Sequence, residues 1–279
     1  MATTTRPQKG IILFQSRVDD GLWQIFSLDL ASDIRTRLSQ SLADDITPSV
    51  SPDGSWIAFQ STRSGFAAIW RMRADGTGAE RLTDAGIDCF DPCWGKGGAF
   101  IIYGSNRSGE ENIFALELAT RRERQLTDSF WRSILPSVSS DGLFIVFARN
   151  KLGWDIYRMN IDGSRVMALT GKGGNCRPDW SPDGKRIAYV SDVADGKGDV
   201  WIMDANGENK VRVTPGDDSY DYNPAWSPDG RWIVYETATG SKKGPWSLAI
   251  IPVSGGTPVI LTPVGADDRF PDWAPGKDS

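Results

Sequence analysis

Pro178-Asp-Trp-Ser-Pro-Asp-Gly184 is a phrase that returns five more times along the chain. Its copies read Pro48-Ser-Val-Ser-Pro-Asp-Gly54, Pro92-Cys-Trp-Gly-Lys-Gly-Gly98, Pro136-Ser-Val-Ser-Ser-Asp-Gly142, Pro224-Ala-Trp-Ser-Pro-Asp-Gly230 and, shortened, Pro271-Asp-Trp-Ala-Pro-Gly276. The leading prolines stand 44, 44, 42, 46 and 47 residues apart, which is the length of one four-stranded propeller blade.

Outward from each Pro-Asp-Gly turn the apolar signal is short and β-like. Runs at 56–59, 100–103, 144–147, 186–190 and 232–235 are too short for helices and rich in β-branched and aromatic residues, so they read as second strands. Third strands follow at 68–72, 112–116, 155–159 and 199–203. The hairpin dipeptides Asp75-Gly76, Asp162-Gly163 and Asn206-Gly207 then accept the positive φ of a two-residue turn. Each unit ends on a Leu-Thr or Val-Thr pair, at Thr83, Thr127, Thr170, Thr214 and Thr262.

The two ends predict how the ring closes. Residues 11–39 supply second, third and fourth strands with no Pro-x-Trp segment before them, while Pro271-Asp-Trp273 is left over at the other end. Pairing these pieces completes one blade and removes the exposed sheet edges. The reading is therefore all-β, a six-bladed β-propeller of four-stranded antiparallel blades. Residues 1–8 form a tail and 9–279 a single propeller. Blade 1 takes 9–47 plus 271–276, blade 2 takes 48–91, blade 3 takes 92–135, blade 4 takes 136–177, blade 5 takes 178–223 and blade 6 takes 224–270.

These units resemble the TolB-like propeller repeat, the PD40 or WD40-like family, over essentially residues 9–276. Proline, tryptophan, the Pro-Asp-Gly turn and the Leu-Thr ending recur together and in order. The resemblance implies the propeller fold and a general role as an interaction platform.

Composition narrows the chemistry. The chain has 279 residues and 39% hydrophobic content, enough for a large core, and its glycine, proline and tryptophan content favours strands and tight turns. Histidine is absent, which excludes a Ser-His-Asp triad, a Cys-His dyad and imidazole-bound metals. A net charge of -5 speaks against nucleic acid and anionic membrane as partners. Residues 1–10 show no apolar signal-peptide core, so the expected location is cytoplasmic. Cys89, Cys93 and Cys176 read as free thiols, and a closed ring without free edges favours a monomer.

Two sets of loop residues are candidates for function. Three positions before the leading prolines stand Asn175, Asp221, Asp268 and Asp45, on four consecutive blades. Oxygen ligands without histidine suit Ca²⁺ or Mg²⁺, and the same residues could instead cap the turn before proline. The second set is Trp131, Arg132, Arg177, Tyr220, Tyr222, Arg269 and Phe270, aromatic and arginine residues of the kind that anchor interfaces. In-phase Arg17, Arg63, Arg107 and Arg149, with Lys151, read as structural partners of neighbouring loops. The expected function is non-catalytic binding of a protein or small-molecule ligand at the channel face. Alternatives are a divalent-cation-dependent hydrolase, lyase or isomerase and a carbohydrate-binding propeller.

Overall fold

A computed structural model describes residues 6–84 and 86–275. The strands form six four-stranded antiparallel sheets. Five blades run in simple order from their first strand to their fourth. The sixth is composite: β1 (Ile11–Arg17), β2 (Trp23–Asp29) and β3 (Arg35–Arg37) receive the C-terminal strand β24 (Asp268–Ala274) as their inner neighbour. Ile11 faces Ala274 and Ser16 faces Asp268 across this seam, so the ring closes as the leftover Pro271-Asp-Trp273 predicts.

Each recurring sequence element has a bond that explains it. In the Ser-Pro-Asp-Gly turn the Ser51 hydroxyl donates to Asp53 (2.5 Å) and accepts the Trp56 N–H (2.9 Å). The Ser51 and Ser55 hydroxyls hold the Asp53 carboxyl down at about 2, well below the usual carboxylate value. Ser139–Asp141, Ser181–Asp183 and Ser227–Asp229 repeat the arrangement. The closing threonine of each unit accepts a third-strand N–H: Thr83 from Ile69, Thr127 from Ile113, Thr170 from Ile156, Thr214 from Val200 and Thr262 from Leu248. Ser39 does the same for Ile25 in the composite blade.

Neighbouring blades meet through their apolar faces. Trp94, Trp180, Trp226 and Trp273 are all buried in cores built from β-branched and aromatic residues. Two of these indoles also bond to the preceding blade, Trp94 to the Ser49 carbonyl (2.9 Å) and Trp226 to the Asp179 carbonyl (3.2 Å). Burying an aromatic of this size stabilises the blade contact by a few kcal/mol, about 3–5 by the cost of truncating it to alanine. Gly163 illustrates the close approach of blades, because a Cβ there would collide with the Leu126 carbonyl.

The leading prolines do not open the blades. Inner strands β4 (Asp45–Val50), β8 (Cys89–Trp94), β12 (Ser133–Val138) and β16 (Asn175–Trp180) start three residues earlier, and β20 (Ser219–Trp226) starts five residues earlier. All six inner strands carry a register shift at the residue before proline and the proline itself. The reason is physical: proline has no N–H to give the ladder, so it is tolerated where a bulge takes the chain out of pairing.

Candidate functional site

The bulge places one residue per blade at the channel. Thr47, Asp91, Leu135, Arg177, Asn223 and Phe270 each directly precede a leading proline, and each has φ between 49° and 56°. A non-glycine residue there is strained by about 1–2 kcal/mol. The six line one end of the central channel together with their prolines and Ser49, Cys93, Ser137, Asp179, Ala225 and Asp272, around a cavity of about 150 Å³. Blades three apart face one another in a six-fold ring. Leu135 therefore stands opposite Phe270, Asp91 opposite Asn223, and Thr47 opposite Arg177.

The backbone at this ring is anchored from behind. Gln15 accepts the Thr47 N–H (2.8 Å), and Glu236 accepts the Phe270 N–H (2.8 Å). Glu236 is fully enclosed, and burial raises its carboxyl while the nearby Arg177 charge opposes the rise. Arg177 donates to the Asn223 side-chain carbonyl. Its guanidinium also lies over the rings of Tyr222 (5.5 Å) and Phe270 (5.1 Å), so its direction is set by three neighbours.

Two polar atoms at the ring, Thr47 Oγ1 and Asn223 Nδ2, are buried without a well-formed hydrogen bond among the described residues, and the Asn223 side chain bears on the Glu236 carboxyl, which it helps hold down. A buried polar group without a partner costs about 1–3 kcal/mol. Asp91 adds a carboxylate pushed up to about 6, chiefly by burial and against the pull of Arg177.

One layer deeper the polar groups are already occupied. Asp179 accepts the Trp226 N–H (3.1 Å) and the Ser137 hydroxyl (2.9 Å), and Asp272 accepts the Val50 N–H (2.7 Å). These acids tie one blade to the next. Burial raises them to about 7 and about 6, and the Asp272 charge adds to the rise at Asp179. Burial likewise pushes the Cys93 thiol up to about 12, which leaves it protonated and a poor nucleophile.

The expected oxygen-ligand set sits elsewhere and is engaged. Both carboxylate oxygens of Asp45 accept from one terminal nitrogen of Arg63 (2.8 and 2.7 Å), and Asp268 pairs with Arg35 at 3.0 Å. Asp221 accepts from Thr237 (2.6 Å), while Asn175 donates to Asp155 (2.9 Å) and to the Gly173 carbonyl (2.8 Å). Among the described residues no three His, Cys, Asp or Glu side chains converge on a point that could hold a metal ion. The physical reason is the bulge: these residues lie near the start of the inner strands, where Asp45, Asp221 and Asp268 bond within their own blade and Asn175 reaches the preceding one, and the residues two positions or more further on turn to the channel.

The aromatic and arginine set divides. Arg177 and Phe270 line the channel, and Tyr222 supports Arg177 from a buried position packed edge-on to Trp246. Tyr220 packs in that same side cluster. Arg269 is held by Asp267 (2.8 Å) and lies over Trp23 and Trp246. Trp131 and Arg132 stand apart on blade 4, Trp131 beneath Lys151 and Arg132 paired to Glu111 (2.5 Å). The in-phase basic residues are structural: Arg63 serves Asp45, Arg107 serves Glu123 and Tyr103, Arg149 bonds Ser133, and Arg17 approaches Asp267.

Thr47, Asp91, Leu135 and Asn223 escape a reading that looks for repeated residue types. Their signal is the opposite one: within a phrase repeated six times, the residue before proline is different in every copy.

Comparison with known proteins agrees with this architecture. A family model described as the TolB beta propeller domain matches residues 4–154 and 150–278. The solved TolB of Acinetobacter baumannii is similar over 96% of this chain and 67% of its own, with a TM-score of 0.81 at 24% identity. A candidate TolB of Agrobacterium tumefaciens is similar over 96% of this chain and 99% of its own, with a TM-score of 0.76 at 21% identity. An uncharacterized protein of Agrobacterium fabrum is 43% identical over 68 residues, a stretch that spans 24% of this chain and 23% of that protein.

Proposed function

The chain belongs to the TolB beta-propeller family, and from that premise we propose that it is a non-catalytic binding module whose ligand, a protein segment or a small molecule, seats at the channel mouth. The observation that carries this reading is the ring before the prolines. Six different residues line one cavity, and two of them, Arg177 and Asp91, bring opposite charges to it. A ligand that meets those charges gains charge-assisted bonds at a concave site.

The surroundings favour binding over catalysis. The deeper acids Asp179 and Asp272 hold backbone N–H groups, so proton transfer by either would loosen the joint between blades. No histidine is present to act as a base, and the buried Cys93 thiol stays protonated. What remains is a rigid, strained and chemically varied rim, the arrangement that suits selection of one ligand.

The test is a ligand-detected NMR screen of a small-fragment collection against the protein and its Arg177→Met variant. Fragments that bind the parent and are lost in the variant are expected. A screen in which every hit survives the substitution overturns the mouth as the binding site. Thermal unfolding with Ca²⁺, Mg²⁺ or EDTA addresses the cation-dependent alternative: a midpoint raised by either ion and lowered by chelation would favour that reading instead.

A further inference from the structure

We propose that the channel mouth accepts a small zwitterion of the α-amino acid class, its carboxylate on Arg177 and its ammonium on Asp91; this rests on the mouth being the binding site. Three features of the ring lead there.

The first is charge. Arg177 and Asp91 are the only ionisable side chains among the six, and neither forms an ion pair with another described residue. They sit on blades 5 and 3, with Leu135 of blade 4 between them. A dianion would be drawn to Arg177 and repelled by Asp91, and a simple cation would meet the reverse. A molecule bearing one charge of each sign is matched at both ends.

The second feature is the capacity left on the two charged groups. Arg177 donates one N–H to the Asn223 side-chain carbonyl, and its other N–H groups are left for a ligand carboxylate. No side-chain hydrogen bond from a described residue ends on the Asp91 carboxylate, whose backbone neighbour is the Leu135 N–H, so it keeps acceptor capacity for an ammonium.

The third is size and lining. A cavity of about 150 Å³ is the volume that admits a body of benzene size. Leu135 and Phe270 face each other across it and provide apolar walls for a short side chain. The guanidinium stays in place because Tyr222 and Phe270 flank it, and Glu236 behind it is engaged with the Phe270 N–H. The recognition groups are thus held in position before the ligand arrives.

The experiment is isothermal titration and thermal unfolding with the proteinogenic amino acids, each set against its N-acetyl derivative and its methyl ester. At least one free amino acid is expected to bind saturably and raise the unfolding midpoint. Removing either charge should weaken binding at least tenfold. Asp91→Asn should abolish the preference over the N-acetyl form, and Arg177→Met the preference over the ester. If either variant fails to fold, Arg177→Lys reads the carboxylate contact and is expected to weaken the free amino acid more than its ester. Equal binding of the blocked derivatives overturns the proposal, as does the absence of any saturable amino acid. If amino acids fail while Arg177-dependent fragments still bind, the zwitterion falls and the binding module stands. If both fail, both fall.

Discussion

The two ends of each inner strand obey opposite rules. Just past the prolines, Trp94, Trp180, Trp226 and Trp273 repeat one residue, and four of the turns that follow the inner strands, at Asp53, Asp141, Asp183 and Asp229, bond in one pattern. Just before the prolines, Thr47, Asp91, Leu135, Arg177, Asn223 and Phe270 share a backbone conformation and nothing else. In a repeat protein, identity between copies is what blade stacking demands, because every blade must fit two neighbours. A column where the backbone repeats and the side chains do not is free of that demand. The free column here faces the channel.

That contrast can be broken most severely at the seam. Ending the chain at residue 270 removes most of β24, with Trp273 and the Asp272 bond to Val50, and leaves β1 without its inner partner. The expected result is loss of a single cooperative unfolding transition, read by circular dichroism, together with disorder around Asp221, Asp268 and Asp45. A truncated chain that melts like the parent would show that closure contributes little.

Next in size is Trp226→Ala, on the repeated side, with an expected cost of about 3–5 kcal/mol in urea unfolding. A cost below about 1 kcal/mol would place the strength of the blade contacts elsewhere. Arg63→Ala should follow at about 3 kcal/mol, since it strands the fully buried Asp45 carboxylate. Asp45→Asn in the same background should recover part of that loss, and a double-mutant cycle with no coupling would contradict the pair.

The buried acids sharpen the comparison through pH. Asp179, Asp221 and Asp272 are raised by burial to about 7, 7 and 6, so the folded protein holds protons that the unfolded chain releases. Their contribution is full below about pH 4, the unfolded carboxylate value, and is lost as pH rises through 6 to 7. Asp179→Asn should therefore flatten the fall in stability across that window by up to about 1.4 kcal/mol per pH unit. Parallel stability curves for parent and variant would show that Asp179 does not change its protonation on folding. The smallest effect belongs to the variable column: Thr47→Val should stabilise the fold by about 1 kcal/mol, because it removes a buried hydroxyl that has no partner. A loss above 1 kcal/mol would reveal a structural bond at that hydroxyl.

The fold was legible because its signals are local and recur. Hairpin glycines, second-strand runs and the Leu-Thr endings all report short-range geometry, and six copies make each one unmistakable. Two of the six residues of the proposed mouth were legible too. Arg177 and Phe270 stand out as residue types that bind, but Thr47 and Leu135 are ordinary residues and acquire a role only from where the bulge points them. Trp131 and Arg132 carry the same chemical promise as Arg177 and lie away from the cavity, occupied by Lys151 and Glu111. The ring of Asp45, Asp221 and Asp268 depends on the structure in a related way. Equal spacing from proline put the acids at equivalent places on the ring, and only the local turn of the chain decides whether equivalent side chains converge or point back into their own blades.

By itself, then, the sequence determined the number of blades, the strands within them, the seam and the absence of imidazole chemistry, because each follows from residue type and spacing along the chain. Only the tertiary structure decided which residues share the channel, which acids are engaged in joining blades and which polar atoms lack partners. Those properties depend on distances between positions about 44 residues apart, and such distances come into being when the ring closes.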